Sequence, residues 1–293
     1  MRFVPGLVTV RTPASSANLG PGFDALGLAL SLHDELTAEV LPGDDGRLEI
    51  EIIGQGEQDL PRTSEHLVVR AMHAAFDLLG VSPPALSLRC RNVIPHGRGL
   101  GSSSAAIVGG LMLARALTVG GERLDDQVLY QLATDLEGHP DNVAAALFGG
   151  LTIAWIDGAA AEVQRLDVTA ATTVFVPPRA VSTQKARGLL PETVPHADAA
   201  ANAGRAALLV AALTVAPERL ISATEDRLHQ SYRAVAMPDS YKLLRQLRVE
   251  GVPTVISGAG PCVLSFARGV DAAAPDGWDV LHLDVDPCGA RVI

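Results

Sequence analysis

Short stretches in which hydrophobic and polar residues alternate recur along the chain and predict half-buried β-strands. These stretches lie at 8–11, 48–53, 86–91 and 151–156. Near the end of the chain, residues 255–265 contain a glycine turn between two apolar strands. Strands are thus expected along the whole chain.

Apolar residues at helical spacing predict four helices between these strands. They cover 63–79, 107–117, 125–136 and 201–215. Thr63 or Ser64 can cap the helix that Gly80 closes. Asp125 or Asp126 can cap the helix at 125–136. Helices are thus expected between the strands along much of the chain.

Composition indicates a folded globular protein without a nucleic-acid or membrane partner. At 293 residues with 48% hydrophobic content, the chain can form one large domain or two moderate ones. The net charge of −10 makes a nucleic-acid-binding surface unexpected. Residues 1–6 lack the apolar core of a signal peptide, and no uncharged apolar segment reaches membrane-spanning length. We therefore expect a cytoplasmic protein.

Neither the cysteines nor the histidines predict a structural metal site. Cys90, Cys262 and Cys288 are irregularly spaced, which indicates neither a disulfide framework nor a zinc site. His66 and His73 lie seven residues apart on a predicted helix, and we expect surface or boundary positions for both.

Residues 95–106 combine three glycines with three consecutive serines, between a predicted strand and a predicted helix. Glycine lets the backbone approach a ligand closely, and a helix N-terminus favours an anion, so a phosphate group is the expected ligand. This is not a Walker A loop, because both lysines, Lys185 and Lys242, lie elsewhere. It also departs from a dinucleotide fingerprint, since Ser102 occupies the third glycine position. A loop of small residues that packs the strand against the helix is the alternative.

A second polar cluster lies at 137–142, where a Glu, a His, an Asp and an Asn occur within six residues. Such side chains are costly to bury without partners. They predict either a metal and substrate site opposite the phosphate loop or a helix end followed by a polar turn. The turn-rich segment 12–27 and the basic segment 182–191 leave a similar choice between structural and binding roles.

Several of these segments resemble the GHMP small-molecule kinases. Pro-x-x-x-Gly-Leu-Gly-Ser-Ser at 95–103 resembles the phosphate-binding signature of that superfamily. Four further segments, at 13–24, 139–143, 182–191 and 226–233, resemble the homoserine kinase family within it. Ser-Gly-Ala-Gly-Pro at 257–261 is similar to the third motif of the superfamily, which supports the first motif beneath the active site.

The resemblance implies a fold, two domains and a reaction. The implied α/β fold has an S5-like N-terminal domain at 1–155, which carries the nucleotide loop, and a ferredoxin-like C-terminal domain at 156–293. The implied reaction transfers the γ-phosphoryl group of ATP to the side-chain hydroxyl of L-homoserine. Another hydroxylated metabolite such as mevalonate, or a nucleotide sensor without kinase activity, are the alternatives. The oligomeric state stays open, with a homodimer as one option.

The resemblance also implies roles for individual residues. The ATP-binding set is Pro95, His96, Gly97, Arg98, Gly99, Leu100, Gly101, Ser102, Ser103, Ser104 and Ala105. The substrate-binding set is Asn18, Asp24, His139 and Asn142, with Arg187 and Arg233 on the substrate carboxylate. The catalytic set is Ser103, Glu137 and Asp141, in which Ser103 and Glu137 would hold Mg²⁺.

Two of these assignments leave a choice. When this segment is aligned with the homoserine kinases without a gap, the position of the magnesium ligand falls on Gln131, which has no charge. We therefore prefer Glu137, which requires a gap between the acid and His139. Some GHMP kinases use an Asp near position 141 as a base, whereas homoserine kinases are thought to manage without one. The sequence does not decide the role of Asp141.

Overall fold

The computed structural model describes residues 2–43 and 46–293, in which helices alternate with strands. The strands are β1 (Val8–Asn18), β2 (Gly22–Val40), β3 (Leu48–Gly54), β4 (Leu86–Asn92), β5 (Leu151–Asp157), β6 (Ala160–Leu166), β7 (Ala171–Val176), β8 (Thr254–Ile256), β9 (Val263–Ser265), β10 (Asp279–Asp284) and β11 (Arg291–Val292). The α-helices are α1 (Leu67–Leu79), α2 (Ser102–Leu117), α3 (Asp126–Glu137), α4 (Asp141–Phe148), α5 (Thr183–Arg187), α6 (His196–Thr214), α7 (Leu220–Ala223), α8 (Gln230–Arg233) and α9 (Pro238–Val249). None of the described helices combines the length and the apolar character needed to cross a bilayer.

The strands form two sheets. The larger sheet has the order β11-β1-β2-β4-β3, and the long strand β2 also pairs with β5, which pairs with β6. The pair β3–β4 is parallel and the other pairs are antiparallel. Helices α1 to α4 cover this sheet, and Phe76 and Tyr130 are buried between them and the strands.

The smaller sheet is antiparallel, in the order β10-β7-β9-β8. Leu243, Leu244 and Leu247 of α9 pack on one face of it around Phe175. Side chains from β2, β7, β9 and α6 form a further buried cluster that joins this sheet to the larger one. The cleft described below lies where the loops of both sheets meet.

Most of the predicted strands and helices are confirmed, with shifted ends. The helix expected from Thr63 or Ser64 begins at Leu67, after a turn in which the amide of His66 bonds to the carbonyl of Thr63. His66 is therefore not a helical surface residue, because it precedes the helix and is 3% exposed. The helix expected from 201 begins at His196.

The turn-rich segment 12–27 belongs largely to strands β1 and β2 and to the tight connection between them. The pairing register shifts between Pro13 and Ala14 and again between Ala17 and Asn18, so the strand accommodates a proline through a bulge. Among the described residues, Asn18, Leu19 and Asp24 have positive φ angles without being glycine. Such backbone conformations cost energy and cluster at binding sites.

The domain boundary at residue 155 stays a prediction. Strand β6 follows this boundary but pairs with β5 in the larger sheet. Strand β11 at the end of the chain returns to β1.

Asp286 fixes the return of the chain from β10 to the larger sheet. One carboxylate oxygen accepts hydrogen bonds from the amides of Cys288 and Gly289 at 2.8 Å each, and the other accepts one from His33 Nε2 at 2.5 Å. Burial alone would raise the pKa of Asp286, but these hydrogen bonds outweigh it and lower the pKa to about 2. The carboxylate therefore stabilises the fold at pH values above its ordinary pKa of 3.8, and this stabilisation is lost as pH falls toward about 2.

We expect Asp286→Asn to lower the free energy of unfolding by about 1–3 kcal/mol at neutral pH, because buried amide donors lose a charged acceptor. Urea unfolding measures this effect, and the difference from wild type should shrink as pH falls below 3.8. Asp284→Asn is the matched control, since the exposed carboxylate of Asp284 pairs with Arg268 at the surface. This substitution should change the free energy of unfolding by less than about 0.5 kcal/mol. Equal unfolding midpoints for the two variants would contradict this role.

Candidate active site

The glycine-rich loop connects β4 to the N-terminus of α2. Gly97, Gly99 and Gly101 have φ angles of +62°, +77° and +70°, a conformation that other residues rarely adopt. A Cβ on Gly99 would lie 2.2 Å from the carbonyl oxygen of Ser257, so only glycine fits there. Helix α2 is 16 residues long and has no acidic residue in its first turn. Its N-terminus is therefore suited to an anion.

Two other motifs brace this loop from beneath. The hydroxyl of Ser257 donates to the carbonyl oxygen of Gly99 at 2.6 Å and also lies 2.8 Å from the hydroxyl of Ser16. The amide of Ser15 donates to the carbonyl of Leu100 at 3.0 Å. The loop is thus held in place by β1 and by the turn between β8 and β9.

Glu137 faces the loop from the last position of α3. Its Oε1 accepts hydrogen bonds from the hydroxyls of Ser103 at 2.7 Å and Ser104 at 2.9 Å. Gly138 follows with φ +86°, which ends the helix at this position. Gln131 lies away from the loop, because its side chain bonds to Asp135 and to the amide of Ala161 in β6. Of the two residues considered as magnesium ligand, Glu137 is the one at the phosphate loop.

The donors around Glu137 suit a small hard cation. A carboxylate and a hydroxyl are oxygen ligands, and Mg²⁺ usually combines one or two carboxylates with oxygens of a substrate phosphate. In the part of the chain that the structure describes, no group of three His, Cys, Asp or Glu side chains could hold an ion. Ser103 and Glu137 could therefore hold Mg²⁺ together with nucleotide oxygens rather than alone.

The polar cluster after Glu137 forms the start of α4. Asp141 is 2% exposed, and its Oδ1 accepts from His139 Nδ1 at 3.1 Å and from the amide of Asn142 at 2.8 Å. The Asn142 side chain accepts a hydrogen bond from the hydroxyl of Ser15 at 2.9 Å. Burial would lower the pKa of His139, but the hydrogen bond to Asp141 and the charges of Asp141 and Glu137 outweigh it, so the pKa is raised.

Asn18 and Asp24 lie on either side of the tight connection between β1 and β2. The side-chain carbonyl of Asn18 accepts from the amide of Asp24 at 2.9 Å, and its NH₂ group donates to the carbonyl of Gly258 at 2.9 Å. These bonds stabilise the positive φ angles of both residues. They hold the Asp24 carboxylate at the edge of the cleft.

Arg187 reaches Asp24 from α5 and forms a bidentate ion pair with it. The two guanidinium–carboxylate distances are 2.7 and 3.0 Å. The hydrogen bond to Asp24 is the main reason that the pKa of Arg187 is raised. Both side chains are 36% exposed, so solvent can reach the pair.

Arg233 is buried beside this pair. It donates to the Nδ1 atom of His229 at 3.1 Å, and Nε2 of the same ring lies 2.7 Å from the carbonyl of Gly20. Because an arginine can only donate, Nδ1 must accept, and the ring is neutral with its proton on Nε2. The guanidinium also lies 5.3 Å from the ring centre of Phe23, a cation–π contact. Burial first, and then the nearby charge of Arg187, lower the pKa of Arg233.

One cavity of about 240 Å³ contains most of the predicted site residues. Its lining includes Asn18, Asp24, Pro95, Gly97, Arg98, Gly99, Leu100, Gly101, Ser102, Ser103, Glu137, His139, Asp141, Asn142, Arg187 and Arg233. Three predicted nucleotide-binding residues, His96, Ser104 and Ala105, are not part of this lining. Ser104 and Ala105 are buried in the first turn of α2, and the ring of His96 packs beside Gly56.

The sequence interpretation missed several residues that support this site. Thr183, Gly258 and Ala259 line the cavity, while Phe23 and His229 hold Arg233 in position. The segment 226–233 does carry a signal for His229, because the histidine lies four residues before the arginine on one side of a helical turn.

The fold and the glycine-rich loop are those of the GHMP kinases, and residues 66–150 match the family model described as GHMP kinases N terminal domain. The homoserine kinase of Streptomyces avermitilis is 55% identical, over 99% of this chain and 97% of that protein. The homoserine kinase of Leifsonia xyli is 50% identical, over 97% of this chain and 91% of that protein. The solved homoserine kinase of Cytophaga hutchinsonii superposes with a TM-score of 0.84 at 25% identity, covering 98% and 97% of the two chains. The chain belongs to the homoserine kinase family.

Proposed function

We propose that this protein transfers the γ-phosphoryl group of ATP to the side-chain hydroxyl of L-homoserine and releases O-phospho-L-homoserine for threonine biosynthesis. The observation that carries the proposal is the position of the Asp24–Arg187 ion pair in the same cavity as the phosphate loop. The names and the similarity of the relatives support the same reaction.

The charges of the cavity match an amino acid rather than a hydroxy acid. Asp24 can accept hydrogen bonds from an ammonium group, and Arg187 and Arg233 can bind a carboxylate. When a zwitterion enters, Asp24 exchanges the guanidinium of Arg187 for the substrate ammonium, and Arg187 exchanges the carboxylate of Asp24 for the substrate carboxylate. No charge is then left unpaired. A carboxylate without an ammonium, such as mevalonate, would leave Asp24 without a partner. This mismatch favours homoserine.

The phosphate side of the cavity is assigned to the nucleotide. Backbone N–H groups of the loop at 97–104 would bind the phosphate oxygens, and Ser103 and Glu137 would hold Mg²⁺. The ion, when bound, neutralises charge on the phosphoryl group that is transferred. Ser104 holds the Glu137 carboxylate in place by its hydrogen bond of 2.9 Å.

The remaining residues contribute by positioning. Phosphoryl transfer proceeds through a loose transition state, so it depends more on alignment and charge than on covalent help from the protein. Asp141 uses Oδ1 to hold the His139 ring and the start of α4. We assign Asp141 to the orientation of His139, which together with Asn18 and Asn142 binds the amino acid. The net charge of −10 supports small-molecule substrates rather than nucleic acid. A cytoplasmic location is part of this proposal, since it suits a biosynthetic enzyme.

A coupled assay of ADP release with a panel of alcohols tests the proposal. We expect magnesium-dependent turnover with L-homoserine and at least about 100-fold lower kcat/KM with mevalonate or galactose, because neither pairs with both Asp24 and Arg187. Turnover with mevalonate and none with homoserine would overturn the assignment. Binding of ATP without turnover of any alcohol would indicate a nucleotide sensor.

A further inference from the structure

Arg98 lies in the middle of the phosphate loop, yet its guanidinium group bonds to three backbone carbonyls. Nε donates to Pro177 at 2.9 Å, Nη2 to Pro178 at 2.6 Å and Nη1 to His96 at 3.0 Å. A guanidinium has five N–H donors in a planar fork, so one side chain can hold all three acceptors at once. These bonds occupy three of the five donors and tie the side chain to two carbonyls in the chain after β7 and to one within the loop.

A backbone hydrogen bond strengthens the same connection, since the amide of Val181 donates to the carbonyl of Gly97 at 3.0 Å. The carbonyl of Arg98 itself accepts from the amide of Cys262 at 3.1 Å, which ties the loop to the turn between β8 and β9. A Cβ on Gly97 would lie 3.1 Å from the Cβ of Ala180, which shows how closely the two segments pack. The phosphate loop is thus joined directly to residues 177–181.

Residues 177–181 lead into α5, whose last residue is Arg187. Helix α5 has five residues, far too few to be stable by itself, so contacts outside the helix must fix its position. At its N-terminus the Ser182 hydroxyl accepts a hydrogen bond from the amide of Lys185 at 3.2 Å. At its C-terminal end Ala186 is buried, and Arg187 bonds to Asp24. The connection through Arg98 holds the start of this helix.

We propose that Arg98 is a positioning residue for the amino-acid substrate, although it belongs to the nucleotide loop. It holds residues 177–181 against the loop and thereby places Arg187 opposite Asp24. This inference rests on the proposed function, since it requires that Arg187 binds the amino acid.

Steady-state kinetics of Arg98→Met separate this role from phosphate binding. We expect KM for homoserine to rise about 10- to 100-fold, because a displacement of about 1 Å at Arg187 is enough for a change of that size. We expect KM for ATP to change less than about threefold, since three of the five guanidinium donors already bond to backbone carbonyls and the phosphates are assigned to backbone N–H groups. Arg98→Lys should recover only part of the loss, because an ammonium cannot reach three carbonyls in one plane. A larger rise in KM for ATP than for homoserine would overturn the proposal.

A double variant tests whether Arg98 acts through Arg187. If it does, Arg98→Met added to Arg187→Ala should change KM for homoserine by less than about threefold, because the group that it positions is already absent. Effects that multiply would show that Arg98 acts independently, which contradicts the proposal. Arg165→Met is the matched control: this arginine also bonds to two carbonyls, those of Phe148 and Pro287. It does not line the cavity, and its loss should leave both KM values unchanged.

Hydrogen exchange tests the connection without any substrate. In Arg98→Met, we expect the amides of Val181 and Ala186 to exchange about tenfold faster or more, while amides in α3 keep their wild-type rates. Unchanged exchange at Val181 and Ala186 would overturn the proposal. Faster exchange with an unchanged KM for homoserine would also overturn it, because Arg98 would then only stabilise the segment. Failure of the proposed function would be visible separately, as a wild type that does not turn over homoserine.

Discussion

Replacement of Glu137 by glutamine is expected to lower kcat by about 100- to 1,000-fold, because the group that would hold Mg²⁺ at the transferred phosphoryl loses its negative charge. The amide oxygen of glutamine can still accept the hydrogen bonds that Ser103 and Ser104 donate to Glu137. The fold should therefore keep its stability within about 0.5 kcal/mol. The half-saturating concentration of Mg²⁺ should rise in the same variant, which a titration of the rate against magnesium measures.

Two variants on the same helix serve as controls for Glu137→Gln. Asp135→Asn also converts an acid of α3 to its amide, but Asp135 is exposed and bonds to Gln131. Gln131→Ala removes the residue at the ungapped register position, which contacts β6. Both should keep kcat within about threefold of wild type. A similar kcat for Glu137→Gln would mean that Glu137 only ends the helix.

The local patterns were sufficient to predict helices α1, α2, α3 and α6 and strands β1, β3, β4, β5, β8 and β9, because each of these depends on residues close in sequence. Asp125 caps α3 as expected, with its carboxylate accepting from the amide of Val128 at 2.9 Å. Alternation placed β3 and β4 within a residue of their observed ends. Helix α4 was missed, because Pro140 and its polar neighbours resemble a turn and the helix is only eight residues long.

Long-range pairing explains what the sequence patterns could not predict. Strand β2 is 19 residues long because its two halves pair with different partners, β5 and β4. This pairing outweighs the tendency of the residues at its start to form a turn. His66 is buried just before α1, and its spacing from His73 gave no sign of this. The ion pair of Asp24 with Arg187 joins residues 163 positions apart. Only the fold brings these two groups together.

The resemblance to homoserine kinases identified residues of the cavity but not their contacts. Arg98 was assigned to ATP with the rest of its loop, whereas its side chain bonds to the carbonyls of Pro177 and Pro178. Arg233 was assigned to the substrate without His229, the neutral ring that orients it. These contacts could not be predicted from the motifs, because a motif names positions without naming the atoms that they touch.

The second large effect is expected at the Asp24–Arg187 pair and can be measured with two truncated substrates. 2-Amino-1,4-butanediol keeps the amine and the hydroxyl but lacks the carboxylate, and 4-hydroxybutanoate keeps the carboxylate but lacks the amine. Leaving one member of a charge pair without its partner costs about 2–5 kcal/mol, which is about thirtyfold to several-thousand-fold in affinity. We expect about 30- to 100-fold at Arg187, the lower part of that range, because 36% of its side chain is exposed. Arg233 is 1% exposed, so its loss should lower the affinity for homoserine by more than the loss of Arg187 does. Arg233→Lys is the variant to use, because alanine would leave a buried cavity that destabilises the fold.

The crossed comparison assigns each charge to its partner. Arg187→Ala should raise KM for homoserine by about 30- to 100-fold, with KM for ATP nearly unchanged. It should also remove most of the preference of the wild type for homoserine over the diol, because the contact that the diol lacks is already missing. The preference of Arg187→Ala for homoserine over 4-hydroxybutanoate should persist, because Asp24 can still bind the ammonium group. Asp24→Asn should remove most of the preference for homoserine over 4-hydroxybutanoate and keep the preference for homoserine over the diol.

Arg187→Lys should recover part of the affinity only, because a point charge cannot form the bidentate contact. If the wild type turns over the diol as well as homoserine, or if both variants weaken both preferences equally, Asp24 and Arg187 only stabilise each other and the amino acid is bound elsewhere.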